Sequence, residues 1–215
     1  MLGEWSKKPG MMIAVVAVLA LILISFFWSS SPESADDQFE RAIHESAGFV
    51  AAEEAAKVLG ESGGSVALVL PPYGSEERFP GSLAEIYKNG FEKGVGKISK
   101  LRVLGHWAAN PKRAIWFRFE QFAEAREKYP AADLLVVFWS LPQSAPEEEI
   151  KWRSVVLPKM IVIETRQEET ANSKWLERGF VQRVLWFNGK TELPEKKPKD
   201  PHEIFSQYFK IIGPR

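Results

Sequence analysis

A chain of 215 residues is long enough for one domain of ordinary size plus a tail or anchor, and too short for two full domains. Lysine plus arginine equals aspartate plus glutamate at 28 each, so no bulk positive charge recommends a nucleic-acid partner. With no cysteine, disulfides, thiolate zinc sites, iron–sulfur ligation, a cysteine nucleophile and a lipidated cysteine anchor are all excluded.

Residues 11–28, MMIAVVAVLALILISFFW, form an uncharged run of eighteen. At about 1.5 Å of rise per residue, a helix of that length nearly crosses the hydrocarbon layer of a bilayer. Trp5 before it and Phe26, Phe27 and Trp28 at its end suit the two interfaces. A cleaved signal peptide is the competing reading. Against it stand the length of the apolar run, the bulky rings where a small-residue cleavage site would be, and Pro32 just beyond Ser29 and Ser31. Lys7 and Lys8 precede the run, whereas Glu33, Asp36 and Asp37 follow it. That asymmetry predicts a single-pass inner-membrane protein with residues 1–10 cytoplasmic and the folded part periplasmic or extracellular. Ala14, Ala17 and Ala20 offer a small-residue stripe for packing against other membrane helices.

A Ser/Pro linker over residues 29–35 leads to a predicted helix capped by Asp36 or Asp37, with Phe39, Ile43, Ala47, Val50, Val58 and Leu59 at helical spacing. Residues 66–70 read as an interior strand, rich in β-branched residues. A helix follows with Leu83, Ile86, Tyr87 and Phe91 on one face, ending near Gly94 or Gly96. Residues 101–104 make a second strand, and residues 114–117 allow a short one. Phe119, Phe122 and Ala123 mark the next helix, and residues 134–139, LLVVFW, are the clearest buried strand. Residues 160–163 and 181–187 supply two more strands, with a short helix at Trp175 and Leu176 between them, capped by Asn172 or Ser173. Residues 189–215 read as a polar, proline-broken tail ending in FSQYFKII, a segment apolar enough to dock back. Alternation of strands with helices of ten or more residues predicts a three-layer α/β domain over residues 36–188, its sheet mostly parallel and covered by helices on both faces.

Strands of this character, with VALVLP opening the series, ADLLVVFWSLP in the middle, and LPKMIVIE followed by a short helix and VQRVLWF, resemble one lobe of a periplasmic-binding-protein-like fold across residues 62–187. That resemblance implies strand–helix–strand units with ligand contacts at the strand C-termini. Full receptors of the family use two lobes that close on a solute, and this chain has room for one.

In an open parallel sheet, ligands bind beyond the C-terminal strand ends. The candidate contacts there are Tyr73, His106, Trp139 and Arg166. No cofactor motif accompanies them: GxGxxG and GxxxxGK[ST] are absent, and Pro71 and Pro72 remove two backbone donors that a phosphate would need. A hydrolase would draw on Ser75 or Ser140 with His106 and Glu164, but neither serine sits in a GxSxG elbow. His44 with Glu40 one turn earlier is too small a set for a metal site. Adjacent Glu76 and Glu77 would point apart, and Arg113 and Arg118 read as surface cations.

Three functions follow in order. The first is a single-span accessory subunit, not an enzyme, that assembles or stabilises a complex of integral membrane proteins. Eight Trp and fourteen Phe would serve it as core or as interface anchors, Trp152, Trp175 and Trp186 among them. The second is a tethered binding or sensing domain for a small polar solute. The third is the hydrolase.

Overall fold

The first helix, α1 (Ala35–Leu59), carries Asp36 and Asp37 inside its first turn, two and three residues past the cap position at Ser34, where their charge complements the helix dipole. This computed structural model describes residues 34–71, 83–108, 119–141, 158–164, 175–177, 179–190 and 192–214. The expected membrane span over residues 11–28, the short strand at 114–117 and the cap at 172–173 lie outside these residues. Among the described residues, no helix is long and apolar enough to cross a membrane.

Six strands form one sheet: β1 (Gly64–Leu70), β2 (Leu101–Ala108), β3 (Leu134–Val137), β4 (Lys159–Glu164), β5 (Arg183–Phe187) and β6 (Phe209–Ile212), in the spatial order β2-β1-β3-β4-β5-β6. All pairs are parallel except β5 with β6. Helices α2 (Leu83–Val95), α3 (Phe119–Lys128) and α4 (Pro201–Tyr208) complete the layers with a helical turn at residues 175–177.

Side chains alternate between two cores. Val66, Leu68 and Leu70 of β1 meet Leu134 and Val136 of β3 under α1, α2 and α4. Ala67, Val69, Leu135 and Val137 face the other way, against Phe122 and Ala125 of α3 and against Trp175 and Leu176. Coverage on both faces explains why the central strands read as unbroken apolar runs. In α3 the buried position is Ala125, whereas Ala123 points to solvent, because the stripe continues from Phe122 by three residues.

Helix α1 is buried from Ser46 through Ala52 without interruption. The sheet takes one side, α2 another, and α4 a third, where the Phe49 ring meets His202 edge-on at 5.5 Å and Phe39 meets Tyr208 at 6.1 Å. Small residues make this possible: alanines and glycines let neighbouring backbones approach closely. The buried carboxylate of Glu54 is held by Lys57 at 2.5 Å and by Arg183 of β5 at 3.3 Å.

The C-terminal segment belongs to this body. Asp200 caps α4 by accepting from the Glu203 amide, and Pro201 stands at the first helical turn, where its missing N–H costs nothing. Strand β6 then pairs along β5, from Phe209 opposite Phe187 to Ile212 opposite Val184.

Candidate functional site

The strand order places β1 between β2 and β3, so the crossovers leaving β1 and β3 depart to opposite sides. That reversal makes the C-terminal ends of β1 and β3 the topological switch point, the place where open α/β sheets hold ligands.

At this edge β3 runs on past its last ladder residue. The Phe138 amide still donates to the Val69 carbonyl at 2.8 Å. The ladder with β4 ends at Val137 opposite Val162, and Trp139, at a bend two residues further on, is buried in the same core as Val137. Glu164 is opposite Trp186, and Trp186 is opposite Lys210, whose ammonium lies 4.5 Å from the indole centroid. Glu164, Trp186 and Lys210 thus form one row across β4, β5 and β6. Glu164 is 2% exposed and accepts a 2.5 Å hydrogen bond from the buried Ser140 hydroxyl. The indole N–H of Trp186 is buried with no hydrogen-bond partner. A buried donor left this way marks a place where a water or a ligand group completes the bonding.

Of the four expected contacts, Tyr73 and Arg166 lie outside the described residues, as do Ser75, Glu76, Glu77, Arg113, Arg118 and Trp152. Trp139 is buried just past β3, in the core that also holds Val137 and Trp175. His106 is inside β2 instead of in a loop after it, because the strand continues to Ala108 through an irregularity at Gly105. Gly105 has φ 143°, and a Cβ there would come within 2.6 Å of the Tyr129 hydroxyl, which donates to the His106 carbonyl at 2.7 Å. His106 opposes Leu68, which leaves β1 between it and β3, about 10 Å of sheet at the usual strand spacing. Ser140, His106 and Glu164 therefore do not make a triad: the serine bonds the carboxylate directly, and the histidine stands two strands away. Trp175 is core, not an interface anchor, at 5% exposed.

Behind the edge, the Tyr87 ring stacks on Phe138 with centroids 5.0 Å apart. Its hydroxyl lies 3.0 Å from Nδ1 of His44, so this imidazole braces the Tyr87 ring. Among the described residues, no group of three or more His, Asp or Glu could hold a metal ion. Burial lowers the His44 pKa to about 4, from the ordinary 6.5. The unfolded chain therefore binds the proton first as pH falls, and stability declines from about pH 6.5 downward until the folded state also protonates near pH 4. Urea unfolding should show a loss of about 2 kcal/mol between pH 7 and pH 5 that His44→Gln largely removes. An unchanged pH slope in the variant would assign the loss to other groups.

The glucose-galactose binding protein GanP from Geobacillus stearothermophilus superposes with TM-score 0.50 at 12% identity, over 79% of this chain and 60% of that one. The fold is periplasmic-binding-protein-like. A carbohydrate transporter solute binding protein from Agrobacterium radiobacter, in complex with D-arabinose, matches at TM-score 0.47 and 16% identity over 72% of this chain and 48% of that one. AraP, an arabinose binding protein from Geobacillus stearothermophilus, matches at 0.46 and 20% over 66% and 45%. The chain thus spans less than two thirds of the length of each of these three proteins. No protein-family model matches the chain, and no curated protein sequence is similar to it.

Proposed function

We propose that this chain is a binding domain for a small polar solute, tethered to the membrane by residues 11–28 with the folded part on the periplasmic side. The observation that carries the reading is the buried Ser140–Glu164 pair at the C-terminal ends of β3 and β4. It sets a buried carboxylate and its hydroxyl partner at the edge where this sheet topology accepts ligands, with the unsatisfied indole donor of Trp186 opposite that carboxylate on β5. Its fold neighbours include a glucose-galactose binding protein and an arabinose binding protein, in keeping with such a solute. The accessory-subunit reading takes second place. Among the described residues most aromatic side chains pack into the two cores, and Ile211 alone is a large hydrophobic that is exposed.

Titration calorimetry of the full chain in detergent, against a panel of neutral sugars, polyols and amino acids, tests this. At least one compound class should bind with one-to-one stoichiometry. Glu164→Gln and Trp139→Ala should each weaken that binding tenfold or more, the scale expected for a lost bond to a charged group. If nothing in the panel binds, or if both variants bind as the parent does, the reading fails.

A further inference from the structure

Among the described residues strand β6 ends the sheet, and one bond fixes which of its backbone groups face outward. The Asn188 amide donates to the Tyr208 carbonyl at 2.9 Å, in the same register that sets Phe187 opposite Phe209. Bonded and non-bonded pairs alternate along an antiparallel ladder. Lys210 and Ile212 therefore turn their N–H and C=O toward β5, whereas Phe209 and Ile211 turn theirs away. The Phe209 N–H already donates to the Phe205 carbonyl at the end of α4. Ile211 thus presents both backbone groups at the edge, together with a side chain that is 42% exposed.

The two edges of the sheet differ in how they are guarded. Strand β2 carries a register shift opposite Val66 and Ala67 and the positive φ of Gly105, irregularities that spoil an edge for pairing. Strand β6 pairs with β5 without a shift, and Gly213 continues its line beside Arg183. Its one charged residue, Lys210, lays its ammonium over Trp186 of β5 and so off the edge.

We infer that β6 pairs with β6 of a second copy of this chain, antiparallel, across a two-fold axis at Ile211. A register centred there exchanges the two outward backbone groups of Ile211 and sets its side chain against its own copy, on the face shared with Leu185. Lys210 then stands opposite the partner's Ile212, and no like charges meet. A register centred on Lys210 fails twice. It sets two lysines directly opposite, which is destabilising, and it needs the Phe209 N–H that Phe205 already holds. A chain with a formal net charge of zero brings no general repulsion between copies. The pairing makes one continuous sheet of both bodies, with the core under α1, α2 and α4 on the same side in each. Four residues of edge bury far less than the roughly 1,200 Å² of a standard stable interface, so the association is weak and reversible.

The cysteine-free sequence allows single thiols. Full-length Ile211→Cys in mild detergent, treated with a short thiol-to-thiol cross-linker, should yield several-fold more covalent dimer than Arg102→Cys on β2 or Glu61→Cys in the turn between α1 and β1. Ile211→Pro removes the outward N–H and none of the bonds to β5. It should melt close to the parent and raise the dimer dissociation constant in sedimentation equilibrium tenfold or more. Ile211→Lys sets two like charges opposite each other and should do the same, which keeps the test open if the proline variant misfolds. Equal cross-linking at positions 211, 102 and 61 overturns the inference. So does a parent that sediments as a monomer throughout, or a folded variant of either kind that dimerises as the parent does.

Discussion

Truncation after Asn188 should leave a chain that does not fold. It removes Ile204, Phe205, Tyr208 and Phe209, none more than 6% exposed. At about 1.5–3 kcal/mol for each large side chain, their burial contributes roughly 6–12 kcal/mol, comparable with the whole net stability of about 5–15 kcal/mol for a domain. The loss goes further than side chains. Without β6, strand β5 becomes an edge, and the fully buried Val184 and Leu185 lie next to unpaired backbone groups, an arrangement prone to aggregation. A milder form of the experiment is Tyr208→Ala, which deletes a fully buried ring whose hydroxyl donates to the Glu192 carbonyl, and should cost about 3–5 kcal/mol. Circular dichroism and thermal melting of both variants decide the matter. A soluble truncated chain with a cooperative melt would show that residues 1–188 suffice.

The same segment shows where sequence reading reached its limit. Residues 189–200 are polar and rich in proline, which is how a tail reads. The sign of renewed structure was there in Asp200-Pro201-His202-Glu203, a cap residue followed by proline at the first helical position and glutamate at the third. Periodicity was ample for the central strands and for α1, α2 and α3, since each buries a long stripe. It could not extend β2 beyond Leu104, because Gly105 interrupts the pattern at a bulge that only the neighbouring Tyr129 explains. The strand-end positions of Trp139, Ser140 and Glu164 were legible from the chain. Their union was not, because it depends on strand order and register: β3 lies beside β4, and Trp186 stands opposite Glu164. No local pattern in one chain encodes which strands become neighbours.

Gly90→Val should be among the most damaging single substitutions in the protein. Helices α1 and α2 cross backbone to backbone through glycines: a Cβ at Gly90 would lie 2.1 Å from the Glu45 carbonyl oxygen, and one at Gly48 would lie 2.3 Å from the Tyr87 carbonyl oxygen. Both obstacles are main-chain atoms inside helices, so no side-chain rotation relieves them. The helices must separate instead, at a cost of about 3 kcal/mol or more, toward the upper range for overpacking. Separation also acts on the site, since Tyr87 rides on α2 and its ring backs Phe138, one residue before Trp139. The variant should therefore lower the urea midpoint strongly and, under conditions where it remains folded, weaken solute binding without any change to Trp139, Ser140 or Glu164. Gly96→Val is the control: its nearest neighbour would be 3.5 Å from an added Cβ, it lies beyond the last turn of α2, and it should change the midpoint much less. Equal effects at positions 90 and 96 would mean that the close helix crossing does not govern stability or the shape of the binding edge.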